Sequence, residues 1–199
     1  LYDAQKAGGR RHWRAGSGAI FDLRSNALRP AGWTSADAAG LPIFPGLVRY
    51  QEARRGDIDH AIRFTAPVTR NTYVWPARHQ ASIRGDADLP PMGTWFRLKA
   101  DVDLSGFTGE ARAVLEARKV HGMILADNGS SWYMSGVPDS RWNNDDLNKL
   151  TAELGSNLEA IDGWSRTYLS TAWASGAPSV TTRRGLVIYR SRELPDRFD

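Results

Sequence analysis

Between Trp95 and Leu104 the chain alternates strictly. Phe96, Leu98, Ala100, Val102 and Leu104 fall on one side; Trp95, Arg97, Lys99, Asp101 and Asp103 fall on the other. A period of two sends successive side chains to opposite faces, so this run predicts a strand over 95–104 with one packed face and one polar face. Weaker alternation over 58–65 predicts a second strand. It sets Ile58, His60, Ile62 and Phe64 against Asp59, Ala61, Arg63 and Thr65. Apolar runs at 17–23, 72–75, 123–126 and 131–135 read as further short strands, the second stopped by Pro76. The segment 186–189 reads as an edge strand.

After Thr108 the spacing becomes helical. Ala111, Val114, Leu115 and Arg118 recur on one face, Glu110 sits in the first turn, and Arg118 and Lys119 sit in the last. Acid at the start and base at the end suit the helix dipole, and Gly122 supplies a stop, so a helix is predicted over 108–120. A second helix is predicted over 145–154, capped by Asn143 or Asn144 and ended by Gly155. Asp127-Asn128-Gly129 predicts a hairpin turn between 123–126 and 131–135, because Asn and Gly tolerate the positive φ of such turns. The stretch 24–45, rich in Ala, Gly and Pro, reads as a long ordered loop. One helical turn is expected inside it, capped by Thr34 or Ser35, with Asp37 in its first turn. The segment 46–53 fits a strand or a helix equally.

Strands outnumber helices and do not alternate regularly with them, which argues against a βαβ arrangement. The fold class this implies is mainly β: an antiparallel, jelly-roll-like β-sandwich with two short helices. Residues 1–162 read as a single β-rich domain, and periodicity fades in the tail, 163–199.

The totals narrow the chemistry. A chain of 199 residues is long enough for one sizeable core. It contains no Cys, which excludes disulfides, thiolate metal sites and a cysteine nucleophile. The net charge of +4 is spread along the sequence, with no basic block of five residues, so a nucleic-acid partner is not expected. No apolar run approaches a membrane span of about 18 residues, so no membrane partner is expected either. The chain starts at Leu1, as a mature form or a fragment would, with any targeting signal out of view.

Eight Trp is high for this length, since roughly three would match average usage. Several stand beside Gly, Arg or Asn, a setting in which flat rings either face a sugar or fill a sandwich core. His12, His60, His79 and His121 show no i, i+4 pair and no HExxH motif, so no metal centre is expected. Asp127-Asn128-Gly129 and the run 143–146 offer oxygen ligands of the kind calcium takes, though the second run reads better as a helix cap. No cofactor is implied. There is no GxSxG elbow, and Gly16-Ser17-Gly18 is only a small-residue turn.

Two constellations remain. Asp101 and Asp103 lie two apart on the polar face of the predicted strand, about 6–7 Å from each other by strand rise. That separation suits the paired carboxylates of a glycoside hydrolase, with Trp95 and Arg97 beside them to hold sugar. The same alternation also describes a solvated face with cross-strand ion pairs. The second cluster is Tyr73, Trp75, Arg78 and His79. His79 or Tyr73 would act as proton acceptor and Arg78 would meet an acid group, or the cluster is simply an aromatic strand end.

The runs SGAIFDLRSNALRPAGWTSADAAGLPIFPGLVRY, YVWPARH, PPMGTWFRLKADVDLSGF and GMILADNGSSWYMSG resemble a group of uncharacterised bacterial proteins. The resemblance covers roughly 1–162 and implies a secreted protein; the tail departs from it. It transfers no functional residue. The reading that results is a polysaccharide-cleaving glycoside hydrolase. Asp101, Asp103 and His79 are its catalytic candidates, and Trp95, Arg97, Tyr73, Trp75, Arg78 and Trp132 its substrate-binding candidates. Trp33 and Trp132 would add rings from the loops. A non-catalytic carbohydrate-binding module and an esterase-type hydrolase with an unlocated site are the alternatives.

Overall fold

A computed structural model describes residues 5–6, 13–22, 24–25, 27–152, 155–161, 180–183 and 186–189. Two residue pairs, β1 (Gln5–Lys6) and β2 (Trp13–Arg14), form a small antiparallel ribbon. The core is organised by a mixed sheet built from β3 (Ile62–Ala66), β4 (Trp95–Leu98), β5 (Met123–Asn128), β6 (Tyr133–Met134) and β7 (Leu158–Ile161). Their order is β6-β3-β5-β4-β7, and the sheet curls into a half-barrel. A hairpin of β8 (Val180–Arg183) and β9 (Leu186–Tyr189) extends it beyond β7 through the pair Ile161 and Ile188. Three helices accompany the sheet: α1 (Tyr50–Arg55), α2 (Gly109–Val120) and α3 (Asn144–Leu147).

This overturns the antiparallel sandwich expected above. The central pair, β3 and β5, runs parallel, and α2 lies in the long crossover between them. Parallel neighbours need such a crossover, and its helix covers one face of the sheet. Ile62, Phe64 and Ala66 of β3 meet Phe96 and Leu98 of β4, Met123 and Leu125 of β5, and Leu115 of α2 in one buried core. Phe64 stacks on Trp132 with centroids 5.3 Å apart, and Phe96 meets both rings edge-on at 5.6 Å.

Three local differences have visible causes. The strand expected over 95–104 ends at Leu98. Lys119 on α2 donates its ammonium to the carbonyls of Ala100 and Val102, and the Asp103 carboxylate accepts from the Ser105 N–H and hydroxyl. These bonds hold 99–105 as turns in spite of the alternation. The Asp-Asn-Gly hairpin does not form either: β6 pairs with β3 rather than with β5. The connection passes β3, and Trp132, at φ 52°, turns its ring onto Phe64. Finally, 17–22 and 72–75 form no strand. Ile20 is exposed, and Tyr73 makes only an isolated bridge to Met92.

The helices follow their sequence signals more closely. The ambiguous segment 46–53 resolves partly into α1, closed by Gly56 in the left-handed region. The expected 108–120 helix is α2, but Thr108 makes no side-chain cap. Instead, the Asp146 carboxylate, delivered by α3, accepts from the Ala111 N–H at 3.0 Å. Asn143 caps α3 by accepting from the Asp146 N–H, and α3 passes into a 3₁₀ turn over Asn148–Ala152.

Candidate functional site

The loop preceding α1 closes over the end of the parallel pair. Thr34, Ser35 and Asp37 shape it without a helical turn: the Thr34 hydroxyl donates to the Asp37 carbonyl, and the Ser35 hydroxyl donates to the Leu41 carbonyl. Short hydroxyl and carboxylate side chains satisfy nearby backbone groups in this way and so favour turns over helix. The Ala39 N–H then donates to the Ala126 carbonyl at the end of β5, and the Arg78 N–H to the Ala39 carbonyl. One hydrogen-bonded ladder thus joins β5, the segment carrying Asp37 and the segment carrying His79.

Asp37 is the electrostatic centre of this region. Its carboxyl is almost fully buried. Oδ1 accepts from the Leu41 N–H at 3.2 Å, and the Ser35 hydroxyl oxygen lies 3.2 Å from it. Oδ2 has no hydrogen bond and lies 3.8 Å from Nε of Arg63. Arg63 is itself buried on β3, donates from Nη1 to the Ser135 hydroxyl at 2.8 Å, and packs against Gly46. Burial pushes the Asp37 carboxyl up to about 6, against the pull of the Arg63 charge; Asp127 on β5 lies close enough for its own charge to push the same way.

Asp127 follows the last buried residue of β5 and is half-buried. Its Oδ1 accepts from the Asn128 N–H. The Asn128 side chain donates to the Ala66 carbonyl and accepts from Thr69, tying the ends of β3 and β5 together. His79 is half-buried, and its Nδ1 lies 2.9 Å from the Ala38 carbonyl. A carbonyl only accepts, so Nδ1 carries the proton and the neutral ring keeps its lone pair on Nε2. Arg78 donates from Nε to the Arg29 carbonyl.

The remaining sequence candidates are dispersed. Asp101 and Asp103 are exposed and lie in the turns after β4, off the face that carries Trp95 and Arg97. The Asp103 carboxylate is occupied by Ser105, whose hydroxyl and N–H hold its pKa below the ordinary value. Trp95 donates its indole N–H to the His121 carbonyl, and Arg97 is paired with Glu159 at 2.6 Å. Trp132 is part of the core cluster. Tyr73 and Trp75 are half-buried on the segment leading to Arg78, with a cis bond between Trp75 and Pro76. Of the residues singled out from sequence, only Arg78 and His79 fall on the ladder that joins Asp37 to β5.

Asp37 and Arg63 do not stand out as site residues in the sequence, and Asp127 stands out there only as a turn residue with an oxygen ligand for calcium. The available signal was an acid among small apolar residues, TSADAAGLPI, and a base inside the apolar strand IRF. Ionisable residues in such settings are buried with a partner or hold a perturbed pKa. Among the described residues, no group of three or more His, Asp or Glu is placed to hold a metal ion. No protein-family model, curated protein or solved structure matches this chain.

Proposed function

We propose that the chain is a hydrolase of the general acid–base class, and within that class a glycoside hydrolase acting on polysaccharide. The observation that supports this reading is the electrostatic pairing of Asp37, held protonated to about pH 6, with Asp127 at the open edge of the same site. Glycosidic cleavage needs one group that delivers a proton to the leaving oxygen and one that activates water. Carboxylates in unlike environments divide such work, because burial keeps one of them protonated.

The reaction we assign is a single displacement. Asp37, kept protonated by burial, is the proton source, and the more exposed Asp127 relays that proton to the glycosidic oxygen as the C1–O bond breaks. Water attacks C1 from the opposite side and passes its proton to Nε2 of His79. The imidazolium then releases that proton to solvent while the pair is recharged. Arg63 favours release of the Asp37 proton by stabilising its ionised form. The roles proposed for Asp101 and Asp103 from sequence pass to Asp37 and Asp127; His79 retains its own.

The test is release of reducing ends from a panel of neutral and acidic polysaccharides. Asp127→Asn and His79→Gln should each lose about 10²–10⁴-fold in rate, the range for general acid–base groups, with circular dichroism unchanged. Wild-type rates in both variants, or no reducing ends from any polymer with the wild-type chain, would overturn the reading. So would unsaturated products, which belong to elimination.

A further inference from the structure

Among the described residues, three arginines lie against aromatic rings: Arg29 over Trp33, Arg49 over Phe44 and Arg141 over Tyr50. Arg49 is neutralised by Glu52 and Arg141 by Asp139. Arg29 has no acidic partner among the described residues, and its buried Nε makes no hydrogen bond. Its guanidinium carbon sits 5.4 Å from the Trp33 ring centroid, and Trp33 is 57% exposed.

Backbone contacts bring this pair to the site. The Gly32 N–H donates to the Arg78 carbonyl at 2.6 Å, and Arg78 reaches back from Nε to the Arg29 carbonyl. Gly40, at φ 73°, packs so tightly under Trp33 that a Cβ there would stand 2.5 Å from the Trp33 carbonyl oxygen. Residues 29–33 are thereby fixed against the ladder that carries Asp37 and His79. Arg78, like Arg29, has no acidic partner among the described residues.

We infer that Arg29, Trp33 and Arg78 form a subsite for a carboxylated sugar, so that the substrate is a polyuronate. The inference rests on the glycan reading above and specifies its substrate class. The apolar face of a pyranose stacks on an open indole, and a guanidinium takes a carboxylate through two parallel hydrogen bonds. A neutral glycan would leave both cations unmatched. A nucleic acid would call for a broader basic surface than the dispersed charge of this chain offers.

The experiment is binding of the full chain to soluble polyuronates (polygalacturonate, polyglucuronate and alginate), beside the same polymers with their carboxyl groups reduced to alcohols. Binding is read by calorimetry, so turnover is not required, and Asp127→Asn is included as a non-cleaving control. At least one polyuronate should bind, and its reduced form should bind at least about tenfold more weakly. Trp33→Ala and Arg29→Gln should each show a similar loss with unchanged thermal unfolding. Arg29→Lys, which keeps the charge but not the fork, should fall between. Equal binding of native and reduced polymers, wild-type binding by both Trp33→Ala and Arg29→Gln, or binding of no polyuronate would each overturn the subsite. Polyuronate binding without cleavage would keep the subsite and remove the hydrolase reading. Cleavage of a neutral glycan that is indifferent to Trp33→Ala would do the reverse.

Discussion

Replacing Asp37 by Asn conserves shape and removes one ionisation, so its effect on stability should depend on pH in a calculable way. Burial raises the Asp37 carboxyl from an ordinary value of 3.8 to about 6 in the folded chain. Folded protein then binds a proton more tightly than unfolded protein does. The stabilising contribution is complete below about pH 4 and is lost as pH rises through about 6. That loss corresponds to roughly 3 kcal/mol. Asn carries no such dependence, and titrating groups not coupled to Asp37 are common to both chains and drop out of the difference; Asp127, whose charge acts on Asp37, is the coupled exception. The assay is urea unfolding of wild type and Asp37→Asn from about pH 4 to about pH 8, followed by tryptophan fluorescence. The variant sits at an offset throughout, because an amide NH2 replaces one carboxyl oxygen in the buried space beside Arg63. Against that offset, the wild type should lose roughly 3 kcal/mol relative to the variant as pH rises. A constant difference, or one that moves in favour of the wild type, would mean that the attraction of Arg63 outweighs burial, and the reasoning would fail.

Two further substitutions probe the frame around the site. Phe64→Ala empties the centre of the Phe64–Phe96–Trp132 cluster and should cost about 3–5 kcal/mol in urea unfolding, whereas Phe64→Leu should cost far less. Gly93→Ala forces a Cβ to 2.4 Å from the Val74 carbonyl oxygen at φ 85°, where the obstacle is backbone. It should lower stability by at least about 2 kcal/mol, read as a fall in the urea midpoint.

What the sequence made legible was local. Thr108, Glu110, Lys119 and Gly122 bracketed α2 almost to the residue, because dipole and capping preferences act within one turn. Asn143 was readable as a cap for the same reason. The alternation through Asp101 and Asp103 misled because their neighbourhood is set by bonds from Lys119 and Ser105 that no period of two records. Asn128-Gly129 carried a true turn preference, yet β3 offered the return strand an edge from far away in sequence, and the choice between edges is a tertiary one. The parallel pairing of β3 with β5 is of the same long-range kind.

The site divides along the same line. His79 and Arg78 were visible as polar residues thrown onto the rim beyond Pro76. The roles of Asp37 and Asp127 depend on a loop folding back onto a strand 87 residues later, as in the bond from Ala39 to Ala126 and the neighbouring carboxylates. Arg63 looked like the outward member of an alternating strand, and it became buried only because 34–46 covers that face.

The account turns on Asp37 keeping its proton toward neutrality in the presence of Asp127. Carbon-13 NMR of the Asp37 side-chain carboxyl reads this directly, in the wild type and in Asp127→Asn. Titration near pH 6 in the wild type, shifted downward when the Asp127 charge is removed, is the expected result. Titration of Asp37 at or below 3.8, unmoved by Asp127→Asn, would contradict the paired site and the hydrolytic function built on it.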